Sequence, residues 1–190
     1  DIFFVISGFL MIKILKEKNY SVFNFYKRRF KRIFPVLLFV CILTVFIGSK
    51  ILFLNEFNSL IRDNISALTF TSNILFWLKL KSYFADTSII PLLHTWSLSL
   101  EIQFYFIIPF IIFILNKLKL KFQLFFLLLF VLISLILCSL FIGRDQSFYL
   151  LPFRINEFFL GTILYLLPKK NFYKKINGDF VFIIYNFLII

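Results

Sequence analysis

Residues 122–142 read Phe-Gln-Leu-Phe-Phe-Leu-Leu-Leu-Phe-Val-Leu-Ile-Ser-Leu-Ile-Leu-Cys-Ser-Leu-Phe-Ile, without a single charged side chain. A helix crosses the hydrocarbon core of a bilayer with about 20 mostly apolar residues, so this run is a membrane span. Similar runs flank it. Spans are expected at about 34–54, 94–115 and 148–168, with parts of two more at 1–12 and 180–190. No period-two alternation marks a strand and no internal repeat appears. The fold class is therefore all-α, a polytopic transmembrane helical bundle. Short linkers make residues 1–190 a single membrane domain. Apolar runs reach both Asp1 and Ile190, and the expectation is a piece of a longer polytopic protein, truncated at both ends.

Composition agrees. The chain is 61% hydrophobic and 16% charged, with 31 Phe and a mean hydropathy of +0.95. Soluble domains average about 45–50% apolar. Cys41 and Cys138 lie deep in apolar runs, with neither metal-site spacing nor a disulfide framework. No metal is expected.

Residues 64–78 hold Asn64, Asn73 and several hydroxyls in a stretch short for a span. They are expected to form an interfacial or re-entrant helix, with Trp77 and Tyr83 at headgroup level. The charges favour that reading. If 64–78 does not span, the loops 13–33, 116–121 and 169–179 share one side and carry 15 of the 21 Lys and Arg. Basic excess marks the cytoplasmic side, so the 55–93 loop faces out. The net charge of +12 is mostly this topology signal, with membrane lipids as general partner. Nucleic acid is excluded as a partner, because the basic residues lie in loops between spans.

Three polar clusters interrupt this apolar background. His94-Thr-Trp-Ser-Leu-Ser-Leu-Glu-Ile-Gln-Phe-Tyr105 opens a span. Helical spacing sets His94, Ser97 and Glu101 on one face, with Glu101 about 10 Å below His94. A carboxylate inside a membrane must be paired, protonated or facing a wet cavity. His94 stands equally as a structural histidine and as a functional one. Phe25-Tyr-Lys-Arg-Arg-Phe-Lys-Arg-Ile-Phe-Pro35 puts Arg29 and Arg32 on one face. Two guanidinium forks suit bidentate phosphate binding, although the segment also fits an ordinary positive-inside loop. Arg154-Ile-Asn-Glu157 places opposite charges at i,i+3, either as an ion pair hidden from lipid or as the polar wall of a substrate cavity. Ser7-Gly8 is a spot where helices pack closely.

The ordered set resembles the acyltransferase-3 family of bacterial integral-membrane enzymes. It runs through Asp-Ile-Phe-Phe-Val-Ile-Ser-Gly-Phe-Leu at 1–10, the 25–35 segment, Asn73 with Phe76-Trp77, and Tyr83-Phe84. It continues through Pro91-Leu-Leu-His-Thr-Trp-Ser-Leu98 and Arg154-x-x-Glu157-Phe158. The resemblance implies an O-acyltransferase in the bacterial cytoplasmic (inner) membrane, multi-pass. It would move an acyl group, acetyl in the first instance, from acyl-CoA to a hydroxyl of a cell-surface glycan such as lipopolysaccharide O-antigen. Acetyl-CoA would be a donor substrate, with no cofactor bound permanently. The resemblance ties an Arg-x-x-Arg pair to the donor, which Arg29 and Arg32 match. It gives His94 and Glu101 supporting catalytic roles, and the substrate cavity to Asp1, Ser97, Gln103, Tyr105, Arg154 and Glu157. The family's Glu-Glu-Gln-Phe-Tyr is here Glu101-Ile-Gln-Phe-Tyr105, with one glutamate absent. The family's first span, with its arginine and catalytic histidine, is expected upstream of Asp1, so a chain without it is expected to be inactive. A transporter or flippase of a lipid-linked glycan, and a non-catalytic scaffold, would use the same polar residues without acyl transfer.

Overall fold

The structure, a computed structural model, describes residues 2–17, 21–79, 90–141 and 149–167. Asp1, the Tyr83-Phe84 pair and the 180–190 span lie outside the described residues. Among the described residues there are seven helices and no strand. They are α1 (Ile2–Glu17), α2 (Val22–Ile51), α3 (Leu54–Leu68), α4 (Ser72–Lys79), α5 (Thr95–Leu115), α6 (Leu120–Leu140) and α7 (Leu151–Leu166). Three of them, α2, α5 and α6, are long and apolar enough to cross a membrane. Phe39, Phe46, Phe110 and Phe125 point out of the bundle from these three helices. In water that surface would be costly; against acyl chains it is not. The chain is a membrane protein.

α5 is the axis. It has eleven buried residues, the most of any described helix, and touches α1, α2, α4 and α7. Phe104 stacks on Phe158 of α7 at 4.1 Å, and Trp96 meets Phe4 of α1 edge-on at 6.2 Å. Ser99 shares a hydrogen bond with Ser72 of α4 at 2.7 Å. Contacts fix the directions. Phe4 pairs with Trp96 while Ser7 reaches Tyr105, so α1 runs parallel to α5. Phe25 and Tyr26 meet Tyr105 and Phe106, while Arg32 lies with His94 and Leu98, so α2 runs antiparallel to α5. Ser134 donates to the carbonyl of Pro152 and Phe130 meets Phe159, so α6 and α7 are antiparallel.

α1 and α7 make the closest helix pair. A Cβ on Gly8 would stand 2.0 Å from the Phe158 carbonyl oxygen, and one on Gly161 would stand 1.9 Å from that of Val5. Each glycine opens a notch for the other helix's backbone, the use small residues have between membrane helices.

Two expectations change. First, the chain expected as a loop over 13–33 is largely helical. α2 begins at Val22 and passes through Pro35, so Arg29 and Arg32 sit on its early turns. Proline removes one backbone donor and opposes the carbonyl four residues back, which membrane helices tolerate where other groups compensate. Second, the single helix expected at 64–78 is a hairpin of two. α3 starts with Glu56 Oε2 accepting the Phe53 N–H at 3.2 Å. It runs back along α2, where Gly48 admits Leu60 and Thr44 donates to Asn64 at 3.3 Å. The chain then turns at residues 69–71, with Phe70 at φ 55°. α4 returns, and its Lys79 Nζ bonds both carboxylate oxygens of Asp63 at 2.9 Å and Ser59 at 2.7 Å. This out-and-back path returns the chain at α4 to the direction of α2.

Candidate active site

The first turns of α5 carry the site. Glu101 is 6% exposed. Its Oε1 accepts hydrogen bonds from the Ser7 hydroxyl of α1 and from the Tyr105 hydroxyl, one turn further along α5. Ser7 and Tyr105 also approach each other at 3.3 Å. Both hydroxyls fall on one oxygen, which leaves Oε2 for a further donor. The cluster exists because helical spacing stacks residues 101 and 105, and because the Gly8 notch draws α1 into the bundle.

Arg29 comes to the same place from another helix, α2. The guanidinium carbon of Arg29 lies 5.3 Å from the centre of the Tyr105 ring. Phe25 meets that ring edge-on at 6.2 Å, and the Tyr26 hydroxyl donates to the Phe106 carbonyl at 3.2 Å, fastening α2 to α5. Arg32 and His94 line one cleft of about 460 Å³, walled by Ile33, Val36, Leu37, Val40, Pro91, Leu92, Thr95 and Leu98. Sequence spacing had set the arginine pair on a cytoplasmic loop, a membrane's width from His94. The structure sets Arg32 on the wall of a cleft that His94 also lines, because α2 starts earlier than expected.

Other expected cavity residues are engaged elsewhere. The Gln103 amide donates to Asn73 Oδ1 at 2.9 Å and to the Phe70 carbonyl at 3.2 Å, and accepts from Asn73 Nδ2 at 3.4 Å. Asn73 donates as well to the Tyr149 carbonyl at 3.2 Å. Gln103 therefore ties the hairpin tip to α5. Ser97 donates to the His94 carbonyl at 3.0 Å, within its own helix end. Arg154 Nη1 and Glu157 Oε1 pair at 2.7 Å, with both side chains mostly buried. Glu157 Oε2 and Asn156 Oδ1 are buried acceptors without a partner among the described residues.

The structure thus gathers Arg29, Tyr105 and Glu101 with Ser7, and sets Arg32 and His94 on the walls of one cleft. By sequence alone Ser7, beside Gly8, reads as a packing residue. The signal that could have found it is a hydroxyl on an apolar helix facing the one carboxylate of α5. Among the described residues no three His, Cys, Asp or Glu side chains gather as a metal site would need. The groups suited to an anionic ligand are Arg29 and Arg32.

Comparison with known proteins finds a family and several relatives. A family model described as "Acyltransferase domain" matches residues 1–189. An uncharacterized protein of Haemophilus influenzae is 35% identical over 197 residues, covering 94% of this chain and 80% of that protein. The O-acetyltransferase OatA of Staphylococcus aureus is 34% identical over 193 residues, covering 93% of this chain and 32% of that protein. A putative O-acetyltransferase of Staphylococcus aureus is 34% identical over 181 residues, covering 88% of this chain and 29% of that protein. The chain therefore spans about a third of the two O-acetyltransferases and most of the Haemophilus protein. No solved structure matches the chain.

Proposed function

The chain belongs to the acyltransferase-3 family, and from that premise we propose that it is the membrane domain of an O-acetyltransferase acting on a cell-surface glycan. The observation that carries this reading is the meeting of two polar segments. Arg32 shares a cleft with His94, and Arg29 covers the ring of the tyrosine that bonds Glu101.

Ester formation needs four things: a held donor, an attacking hydroxyl, a proton acceptor for that hydroxyl, and a positive or hydrogen-bonding group for the oxyanion. The arginine pair suits the phosphates of acetyl-CoA, since guanidinium forks bind phosphate bidentately. The sugar oxygen attacks the thioester carbonyl, the new C–O bond forms and the C–S bond breaks. The hydroxyl proton passes to a base, and the CoA sulfur leaves as thiolate to be protonated. His94 offers an imidazole on the donor cleft, and Arg32 offers positive charge to the oxyanion there. Glu101 is held ready to orient the proton acceptor or the acceptor sugar. Arg154 and Glu157 offer hydroxyl-binding groups on α7. The acceptor class is a glycan hydroxyl, lipopolysaccharide O-antigen being one such glycan. The setting is a multi-pass domain in the bacterial cytoplasmic membrane.

The test is transfer of label from acetyl-CoA in membrane vesicles carrying the full-length protein. Alkali-labile label in the glycan fraction, absent from vesicles without the protein, is the expected result. Glycan that crosses the membrane unlabelled would identify a transporter and overturn the proposal.

A further inference from the structure

We infer that Tyr105 is a positioning residue that couples the donor site to the carboxylate, its ring serving Arg29 and its hydroxyl serving Glu101. The inference rests on the acyl-transfer reading above and goes beyond it, because it gives one side chain two separable jobs.

The geometry is specific. The Tyr105 ring is buried and fixed, with Phe25 against its edge. Arg29 stands over it at 5.3 Å from the ring centre. A guanidinium over an aromatic face is attracted by the ring quadrupole and loses freedom it would otherwise give up on binding a phosphate. At the far end of the same side chain, the hydroxyl donates to Glu101 Oε1. Ser7 donates to that same oxygen from α1. Two donors on one oxygen fix the carboxylate plane and aim Oε2. A residue that only filled space would need the ring and not the hydroxyl. A residue that only held Glu101 would need no cation above its face.

Two substitutions separate the jobs. Tyr105→Phe keeps the ring and removes the hydroxyl, while Tyr105→Leu removes both. Ser7→Ala removes the other donor and leaves the ring untouched. The measurement is steady-state transfer from acetyl-CoA by the full-length protein, with the thermal midpoint of each variant recorded beside it. Tyr105→Phe is expected to lower kcat about 10²-fold, the scale of a misplaced catalytic group, and to leave the donor KM unchanged. Ser7→Ala is expected to lower kcat in the same way. Tyr105→Leu is expected to lower kcat equally and also to raise the donor KM about fivefold or more. Wild-type kcat in Tyr105→Phe, or the same donor KM in the Phe and Leu variants, would overturn the inference alone. A drop in thermal midpoint with kcat unchanged would reduce Tyr105 to a packing residue. Wild-type protein that transfers no label would overturn the proposed function and this inference together.

Discussion

Arg32 and His94 line one cleft, on helices that run in opposite directions. Under the proposed function, that relationship draws Arg32 toward the reacting groups, with Arg29 one turn before it on the same helix. Replacing Arg29 and Arg32 together by alanine is expected to raise the donor KM at least about tenfold. A charge-assisted hydrogen bond is worth roughly 1.5–3 kcal/mol, and about 1.4 kcal/mol is a factor of ten. The double lysine variant should recover only part of the loss, because an ammonium lacks the bidentate fork. Donor titration of purified protein measures this, and an unchanged KM would remove the arginines from the donor site.

Glu101→Gln keeps an oxygen to accept from Ser7 and Tyr105, and replaces the charged, proton-accepting Oε2 with a neutral NH2. Folding should therefore survive, with a thermal midpoint close to wild type. Transfer should fall by at least about 10²-fold, the lower end of what a positioned acid or base contributes. Full activity in this variant would make Glu101 a structural anchor for α1.

The long apolar helices Thr95–Leu115 and Leu120–Leu140 were legible because length without charge favours a helix in hydrocarbon, whereas the span expected at 148–168 is a shorter helix, Leu151–Leu166. Residues 122–142 needed nothing but counting. The start of α2 was not legible. Lys27 to Arg32 carry five charges in six residues, which reads as loop, and Pro35 reads as a helix start. Only tertiary contact shows that this face leans on Tyr105 and Phe106. The hairpin was hidden for a different reason. Its turn centres on Phe70 in the left-handed region, with no Gly or Pro to mark it. What holds that backbone is the Gln103 amide, a residue far along the chain. The meeting of Arg32 and His94 was invisible for the same reason, since it depends on where α2 begins and how the hairpin returns.

The Asn73–Gln103 pair should act as one unit. The two amides exchange hydrogen bonds at 2.9 and 3.4 Å, and each also holds a backbone carbonyl. Asn73→Ala and Gln103→Ala are each expected to lower stability. The double variant should cost clearly less than the sum, with a coupling of about 0.6–1.7 kcal/mol, the range for hydrogen bonds between membrane helices. Thermal unfolding in detergent across the four proteins measures it. Additive costs would show that the two side chains serve separate ends.

The three glycines among the described residues, each facing another helix, should differ in a predictable order. At Gly8 and Gly161 an added methyl meets backbone oxygen of the partner helix, Phe158 and Val5 respectively, at 2.0 and 1.9 Å. Backbone cannot step aside without separating α1 from α7. Overpacking of this kind costs about 1–3 kcal/mol, and separation would also pull Ser7 away from Glu101. Gly8→Ala and Gly161→Ala should therefore lower both the thermal midpoint and kcat. At Gly48 the methyl would meet the end of the Leu60 side chain at 2.4 Å. A leucine can change rotamer, and α2 and α3 touch no part of the Glu101 cluster at that level. Gly48→Ala should cost less stability than either and leave kcat unchanged. Equal losses at all three positions would mean that the α1–α7 notch is not what brings Ser7 to the carboxylate.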